Sequence, residues 1–312
     1  MLISFFLFTI YKMKYLINEN ESQKIIKHFG SAFYTKVIND IQIYADKWNL
    51  EIISLIDYFS INCLFICYST IYGDTVLKIS RYSKETYHEF NVLREYQGHY
   101  FCRVFNADLE NGVILEEYIK PGTCLRTEPL ISKRLDVFAD IYNNLHIKPS
   151  SDVRYPYYHE WITNIEGYLL KKKDCSMLYD SIMEAKEIYL TLIKTYDRVC
   201  LLHGDLHHDN ILLGVNNEYK LIDPKGVLGD PIFDIARFMI NEYDLYDKDS
   251  MMSLDEKMVY IVDRFSISLK LPKLVIKKCF FIDAVMTNCW KIEDSKIPNI
   301  RMIKKAKRMM LE

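Results

Sequence analysis

This 312-residue chain has no basic excess: 40 lysines and arginines stand against 42 aspartates and glutamates, giving a formal net charge of -2 and a pI near 6.5. Nucleic-acid binding draws much of its affinity from such an excess, so that class is disfavoured and no nucleic-acid partner is expected. Paired cysteines are missing as well. The eight thiols are scattered, and only Cys63 and Cys67 are close, four residues apart in an apolar run. Neither a disulfide framework nor a structural zinc site fits that spacing, which leaves buried, reduced thiols. No stretch is apolar for the roughly 20 residues that cross a bilayer. Met1 to Tyr11 is apolar and carries Phe5, Phe6 and Phe8, but no Lys or Arg precedes it and no small-residue cleavage site follows. Export is therefore not its reading. The segment is either an element packed on the first lobe or an extension upstream of a start at Met13. A cytoplasmic chain without a membrane partner is the expectation. Internal repeats and low-complexity tracts are also lacking.

What is present is an ordinary globular composition, 50% hydrophobic and 26% charged, long enough for two lobes. From Glu21 to Leu50, apolar residues recur near helical spacing (Ile25, Ile26, Phe29, Phe33, Val37, Ile41). The runs EIISLIDYF, CLFICYST and TVLKIS over 51–80 predict three antiparallel strands, with Tyr72-Gly73-Asp74 as the last turn. A Ser-capped helix fits Ser83 to Gln97, and two further strands flank an Asn111-Gly112 turn. After Pro121-Gly122 the pattern is almost wholly helical, interrupted by short strands VCLL, NILLG and YKLID between 199 and 223. The fold class expected is α+β: a β-rich N-lobe with a five-stranded antiparallel sheet, residues 1–118, and a larger, mostly α-helical C-lobe, residues 119–312. A crevice between two such lobes is a natural ligand site.

The stretch 201–223, LLHGDLHHDNILLGVNNEYKLID, places His203, Asp205, Leu206 and Asn210 in the order H-x-D-L-x-x-x-N and ends at Asp223. That is the spacing of phosphotransferase catalytic loops. Phosphoryl transfer needs a group to orient the acceptor hydroxyl, and Asp205 suits it. It also needs charge compensation. Mg²⁺ prefers hard oxygen donors and keeps several waters, so Asn210 and Asp223 suffice as its ligands beside the nucleotide phosphates. His203 is expected to hold the loop backbone. Upstream, Lys78 on the third strand can hold nucleotide phosphates if a helix carboxylate orients it; Glu89 is the candidate, with Glu85 one turn earlier as the fallback. Two other readings stay open. Asp, Asn and His in such loops often only close turns, and His203, His207, His208 and Asp209 could form a transition-metal cluster.

HGDLHHDN at 203–210 with LIDPKGVLGDPIFDIA at 221–236 resembles the aminoglycoside phosphotransferase superfamily, whose fold is similar to that of protein kinases. The IDPKG-x-x-GDP-x-x-D form is most similar to the streptomycin 6-phosphotransferase and hydroxyurea phosphotransferase branch. WNLEI at 48–52, HEFNVLR at 88–94, LEEYIKPGTCL at 115–125 and CWKIED at 289–294 extend the likeness over roughly 45–300. It implies a bilobal, protein-kinase-like kinase of a small hydroxyl compound that uses ATP, with GTP open, and Mg²⁺. By the same resemblance Asp205 is the base, Asn210 and Asp223 bind metal, and Lys78 with Glu89 holds phosphates. The Glu116 carbonyl and Tyr118 amide meet the adenine edge, and Lys225 touches the γ-phosphate or the acceptor. Asp234 is read as a brace for the catalytic loop. A nucleotide-binding pseudokinase, and a kinase of another metabolite such as a sugar amine or choline-like alcohol, are the alternatives.

One departure concerns the loop between the first two strands, Asp57 to Cys63, which contains no glycine. Glycine permits close backbone approach to phosphates; here Ser60 and Asn62 are the donors available. The acceptor is expected to be a small molecule, cationic if the run of eight acids from Asp230 to Glu256 forms an acidic surface, or unspecified if that run is a solvated helix face. The basic segment from Lys291 to Arg308 is read as the coat of a last helix. A monomer or weak dimer is expected.

Overall fold

The computed structural model describes residues 17–59, 61–81, 83–150, 152–172, 175–245 and 252–312. The apolar lead, Ser60 and part of the acidic run, Asp247 and Asp249, lie outside them. Two compact units emerge: one holds the described residues through Phe90 with Arg103–Tyr118, the other Asn91–Cys102 with Ile119–Glu312.

The first unit begins with α1 (Glu19–Phe29) and α2 (Ser31–Lys47). Asn18 and Glu21 form a reciprocal capping box at the start of α1, and Gly30, at φ +89°, divides the periodic apolar block into two helices. The sheet follows as β1 (Leu50–Leu55), β2 (Cys63–Ser69), β3 (Gly73–Ile79), β4 (Val104–Asp108) and β5 (Val113–Glu117), with α3 (Lys84–Tyr96) inserted before β4. Its order is β1-β2-β3-β5-β4, antiparallel throughout, as the sequence pattern predicts. Ile25, Val37, Ile41, Tyr44 and Trp48 pack with Phe65, Cys67, Leu77, Ile79 and Leu115 in one buried cluster. Each such side chain contributes about 1.5–3 kcal/mol on leaving water. Strand alternation then puts Val76 and Lys78 on the opposite face from Leu77 and Ile79.

The second unit contains β6 (Thr123–Cys124), α4 (Ile131–Leu145), α5 (Tyr158–Leu169), α6 (Ser176–Leu192), β7 (Cys200–Leu202), β8 (Ile211–Leu213), β9 (Tyr219–Leu221), β10 (Val227–Gly229), α7 (Ile235–Asp244), α8 (Leu254–Ser268), α9 (Lys273–Glu293) and α10 (Ile300–Leu311). Helix α9 is its axis, buried against α6, α7, α8 and α10. Strands β6 and β10 were not expected, because two or three residues carry no periodicity. β6 pairs with β8, and β10 pairs with β7. The helix expected from Asp230 begins instead as a 3-10 turn, Pro231–Asp234, capped by Asp230. No helix among the described residues is long and apolar enough to cross a membrane.

Glycines at the β2–β3 and β4–β5 turns give a contrast. Gly112 sits at φ +68°, and a Cβ there would lie 2.8 Å from the Ser80 carbonyl oxygen; Gly73 sits at φ +78° with nothing within 4 Å. Gly73→Ala therefore carries only the left-handed backbone cost, about 1–2 kcal/mol, while Gly112→Ala adds a backbone clash and should cost clearly more. Urea unfolding of the two variants checks this; equal losses would contradict the clash.

Candidate active site

In the first unit, Lys78 on β3 is buried and its Nζ forms an ion pair with Glu89 on α3. Pairing of Lys78 with Ile114, and of Val76 with Glu116, places Glu116 diagonally from Lys78 on the same sheet face. Its Oε1 lies 3.9 Å from the lysine Nζ. Glu116, read from the sequence only for its carbonyl, therefore brings a second buried carboxylate to the lysine. The Tyr118 amide donates to the Asp74 carbonyl at 3.2 Å, which extends the β3–β5 ladder. A base contact through this amide requires that bond to open. The glycine-free loop is tied to α1: Phe59 packs on His28 and Phe29, and Asp57 pairs with Lys24. Asn62 is buried.

In the second unit, β7 leads into the H-x-D-L-x-x-x-N motif at 203–210. Asp234 Oδ2 accepts the His203 amide at 2.8 Å and Oδ1 accepts the Gly204 amide at 2.8 Å. His146 Nε2 lies 3.0 Å from Oδ2. Asp234 thus braces the loop, from the end of the 3-10 turn preceding α7. The His203 ring closes the other side: Nδ1 accepts the Asp205 amide at 3.2 Å and Nε2 donates to the Ile222 carbonyl at 3.1 Å. Gly204 needs to be glycine, since its φ is +77° and a Cβ would meet Trp161 Cη2 at 2.8 Å.

The same loop brings the remaining residues into place. Asn210 Nδ2 donates to the Asp205 carbonyl at 2.9 Å, which turns its amide oxygen the other way. The β8–β9 hairpin returns the chain, and the Ile222 amide donates to the Asn210 carbonyl at 3.1 Å, setting Asp223 (φ +56°) beside it. One amide oxygen and one carboxylate are hard donors, and they fit a Mg²⁺ that retains several waters. The Lys225 amide donates to the His203 carbonyl at 2.7 Å. His203, His208 and Asp209 of the alternative transition-metal cluster are otherwise engaged. His203 bonds Ile222, His208 Nε2 lies 2.7 Å from Glu242 Oε1, and Asp209 takes Arg126 in a two-pronged contact of 2.6 Å on each oxygen.

Burial pushes the Asp205 carboxyl up, but Arg237, His207, Lys225 and His203 together outweigh it and hold it below the ordinary carboxylate range. Asp205 is therefore held as the carboxylate anion. Arg237 lies between Asp205, at 3.4 Å, and Asp283 on α9, at 3.3 Å. Burial keeps Asp283 raised even beside that arginine. Arg134, Glu242, His208 and Lys257 form a second buried cluster, with Arg134 Nε 2.6 Å and Lys257 Nζ 3.0 Å from Glu242. None of these partners was anticipated.

The acidic run divides into inward and outward members. Among its described members, Asp230, Asp234 and Glu242 are buried and bonded internally, Asp255 pairs with Lys305 and Arg308, and Glu256 closes a capping box with Ser253. A count along the chain ignores which side chains turn inward: three of the described members are buried, whereas Asp244, Asp255 and Glu256 are exposed.

In three dimensions the chain is similar to choline kinase LicA from Streptococcus pneumoniae, with a TM-score of 0.59 at 15% identity over 89% of this chain and 99% of that one. Aminoglycoside phosphotransferase APH(4)-Ia, in a ternary complex with ADP and hygromycin B, gives 0.60 at 12% identity over 86% and 95%. At these identities the likeness shows the fold, which is protein-kinase-like. In sequence, residues 68–295 match the profile of the aminoglycoside/hydroxyurea antibiotic resistance kinases, and the chain belongs to that family. Streptomycin 3''-kinase of Klebsiella pneumoniae is 39% identical over 67 residues, 22% of this chain and 25% of that protein. Streptomycin 6-kinase of Streptomyces griseus is 25% identical over 169 residues, 51% of this chain and 52% of that protein. The match thus spans a quarter to about half the length of these curated relatives.

The buried loop histidine sets a pH dependence. Burial pushes His203 below its ordinary 6.5, against the pull of Asp234 and Asp205, and its Nδ1 must stay unprotonated to accept the Asp205 amide. The unfolded chain then binds more protons than the folded one, so this stability is full above about pH 6.5 and is lost as pH falls below it. His207 and His208, also depressed by burial, act in the same sense. Melting temperatures should fall between pH 7.5 and 5.5, and less steeply in His203→Gln; an unchanged slope in the variant would remove His203 from the account.

Proposed function

We propose that the chain is an ATP-dependent O-phosphotransferase acting on a small hydroxyl compound, with an aminoglycoside such as streptomycin as the first acceptor to test. The observation that carries this reading is the loop built on Asp234. It holds an ionised Asp205 in place, turns the Asn210 amide oxygen away from the loop backbone, and receives Asp223 from the β8–β9 hairpin. Family membership and the names of the two streptomycin kinases support the substrate class.

In this reading Asp205 accepts the proton of the acceptor hydroxyl as its oxygen forms a bond to the transferred phosphorus and the bond to the departing nucleoside diphosphate breaks. Asn210 and Asp223 hold Mg²⁺, which offsets charge on the phosphates when bound. Lys78, oriented by Glu89, holds the nucleotide phosphates. The Glu116 carbonyl and Tyr118 amide serve the base. Lys225 supplies a second positive charge near Asp205. Because the loop at 57–63 gives phosphate no glycine backbone, GTP is tested beside ATP.

Nucleotide consumption is measured with Mg-ATP and Mg-GTP against streptomycin, hydroxyurea, choline and amino sugars. At least one acceptor should raise turnover well above background. Asp205→Ala should lower that turnover by about a hundredfold or more, the scale of a general-base contribution, whereas Asp223→Ala should chiefly weaken use of the Mg-nucleotide. The reading is lost if no acceptor raises turnover and Asp205→Ala leaves the background as it was.

A further inference from the structure

We propose that Arg237 is a positioning residue for the transfer step: it holds the Asp205 carboxylate through Oδ1, so that Oδ2 is the oxygen that receives the acceptor proton. The inference rests on Asp205 being the base.

The guanidinium is fixed before it meets Asp205. Asp283, Thr287 and Trp290 recur on one face of α9 at i, i+4 and i+7. Arg237 Nη2 lies 3.3 Å from Asp283 Oδ1, Nη1 donates to Thr287 Oγ1 at 3.0 Å, and the guanidinium carbon sits 5.2 Å from the centroid of the Trp290 ring. A planar cation held at two nitrogens and one face has little freedom left. Its third nitrogen, Nε, lies 3.4 Å from Asp205 Oδ1. His207 Nε2 approaches the same oxygen, at 3.8 Å. Both cationic or polar neighbours thus gather on Oδ1, and no hydrogen bond among the described residues engages Oδ2.

A second observation separates this arrangement from a plain ion pair between α7 and α9. Arg237 Nε and Asp283 Oδ2 are buried polar atoms without a hydrogen-bond partner. An arginine serving only to join two helices would have no reason to leave Nε unmet, since a buried unpaired donor is costly. A small turn of the Asp205 carboxylate closes the 3.4 Å gap and satisfies Nε, which gives the loop a preferred carboxylate orientation.

The test uses the full chain with Mg-ATP and streptomycin, and compares Arg237→Met, Arg237→Lys and Thr287→Val, each also in an Asp205→Asn background. Arg237→Met should lower kcat by about ten- to a hundredfold while the KM for ATP stays within about twofold. These are sizes expected for loss of orientation at a reacting centre. Arg237→Lys should recover part of the loss. In the Asp205→Asn background Arg237→Met should cause no further loss, because its effect passes through that carboxylate. Equal losses in both backgrounds, or a change confined to the acceptor KM, would overturn the positioning role. Should Arg237→Met not fold, Thr287→Val removes one bond from the guanidinium and is read in the same way, with a smaller kcat loss that vanishes in the Asp205→Asn background. If streptomycin is not turned over, the Asp205-dependent hydrolysis of ATP serves as the readout. Asp205-dependent turnover without an Arg237 effect refutes only the positioning role. Absence of any Asp205-dependent turnover refutes the kinase reading and this inference together.

Discussion

The loop from His203 to Asn210 depends on a single buried carboxylate. Asp234 is withdrawn from water, which costs several kcal/mol for an isolated ion, and the cost is offset because two consecutive backbone amides, of His203 and Gly204, donate to its two oxygens while His146 approaches one of them. Burial pushes its carboxyl up, and these partners bring it below the ordinary range, so it remains charged. Two adjacent amides can converge on one carboxylate only if the backbone between them bends sharply. Gly204, at φ +77° and closely roofed by Trp161, supplies that bend. The orientation of Asp205 follows directly, since it is the next residue and its amide is caught by the His203 ring.

Helix α7 extends this control along the whole loop. Asp234 at its start, then Arg237, Phe238, Asn241 and Glu242, lie at helical spacings that share one face. Each meets the loop or a residue that holds it. Asp234 takes the amides of 203 and 204, Arg237 faces Asp205, and Phe238 stacks on His208 with ring centroids 3.9 Å apart. Asn241 shares Arg126 with Asp209, and Glu242 bonds His208. A rigid rod therefore fixes successive loop residues in register, and Asn210 is held because the residues before it are held. Glu242 would be untenable alone. Arg134, His208 and Lys257 around it keep its carboxyl far below the ordinary range despite burial.

The first unit solves a different problem. The loop at 57–63 offers phosphate no glycine backbone, and two of its side chains are committed locally, Phe59 to the rings of His28 and Phe29 and Asp57 to Lys24. Positive charge on that sheet face is concentrated in Lys78. Two carboxylates share it, Glu89 in direct contact and Glu116 at 3.9 Å. At that separation a charge pair in a partly shielded site interacts by about 4 kcal/mol, so Glu116 is not a bystander to the lysine's charge. Register produces this: with Val76 opposite Glu116, the pleat turns Glu116 and Lys78 to the same side.

What could be read from the sequence was whatever is written locally. Strand alternation gave the five-stranded sheet, helical spacing gave the large helices within a few residues, and the spacing of His203, Asp205, Asn210 and Asp223 located the loop. The position of Glu89 on α3, ahead of any structure, pointed to the partner that Lys78 has. The misses are long-range pairs. Arg134 and Glu242 are 108 residues apart, and Arg126 and Asp209 are 83 apart. No periodicity connects them. Counting acids between 230 and 256 could not separate Asp230, Asp234 and Glu242, which are buried, from Asp244, Asp255 and Glu256, which are exposed. A weaker signal did exist. Asp283 stands in the apolar run FFIDAVM and Arg134 sits beside the buried Leu135. A charge embedded among buried apolar neighbours must have a partner of opposite sign, because unpaired it would be too costly to bury. Reading such isolated charges as demands for a distant partner would have pointed to α9 as a support of the loop at 203–210 before any coordinates were known.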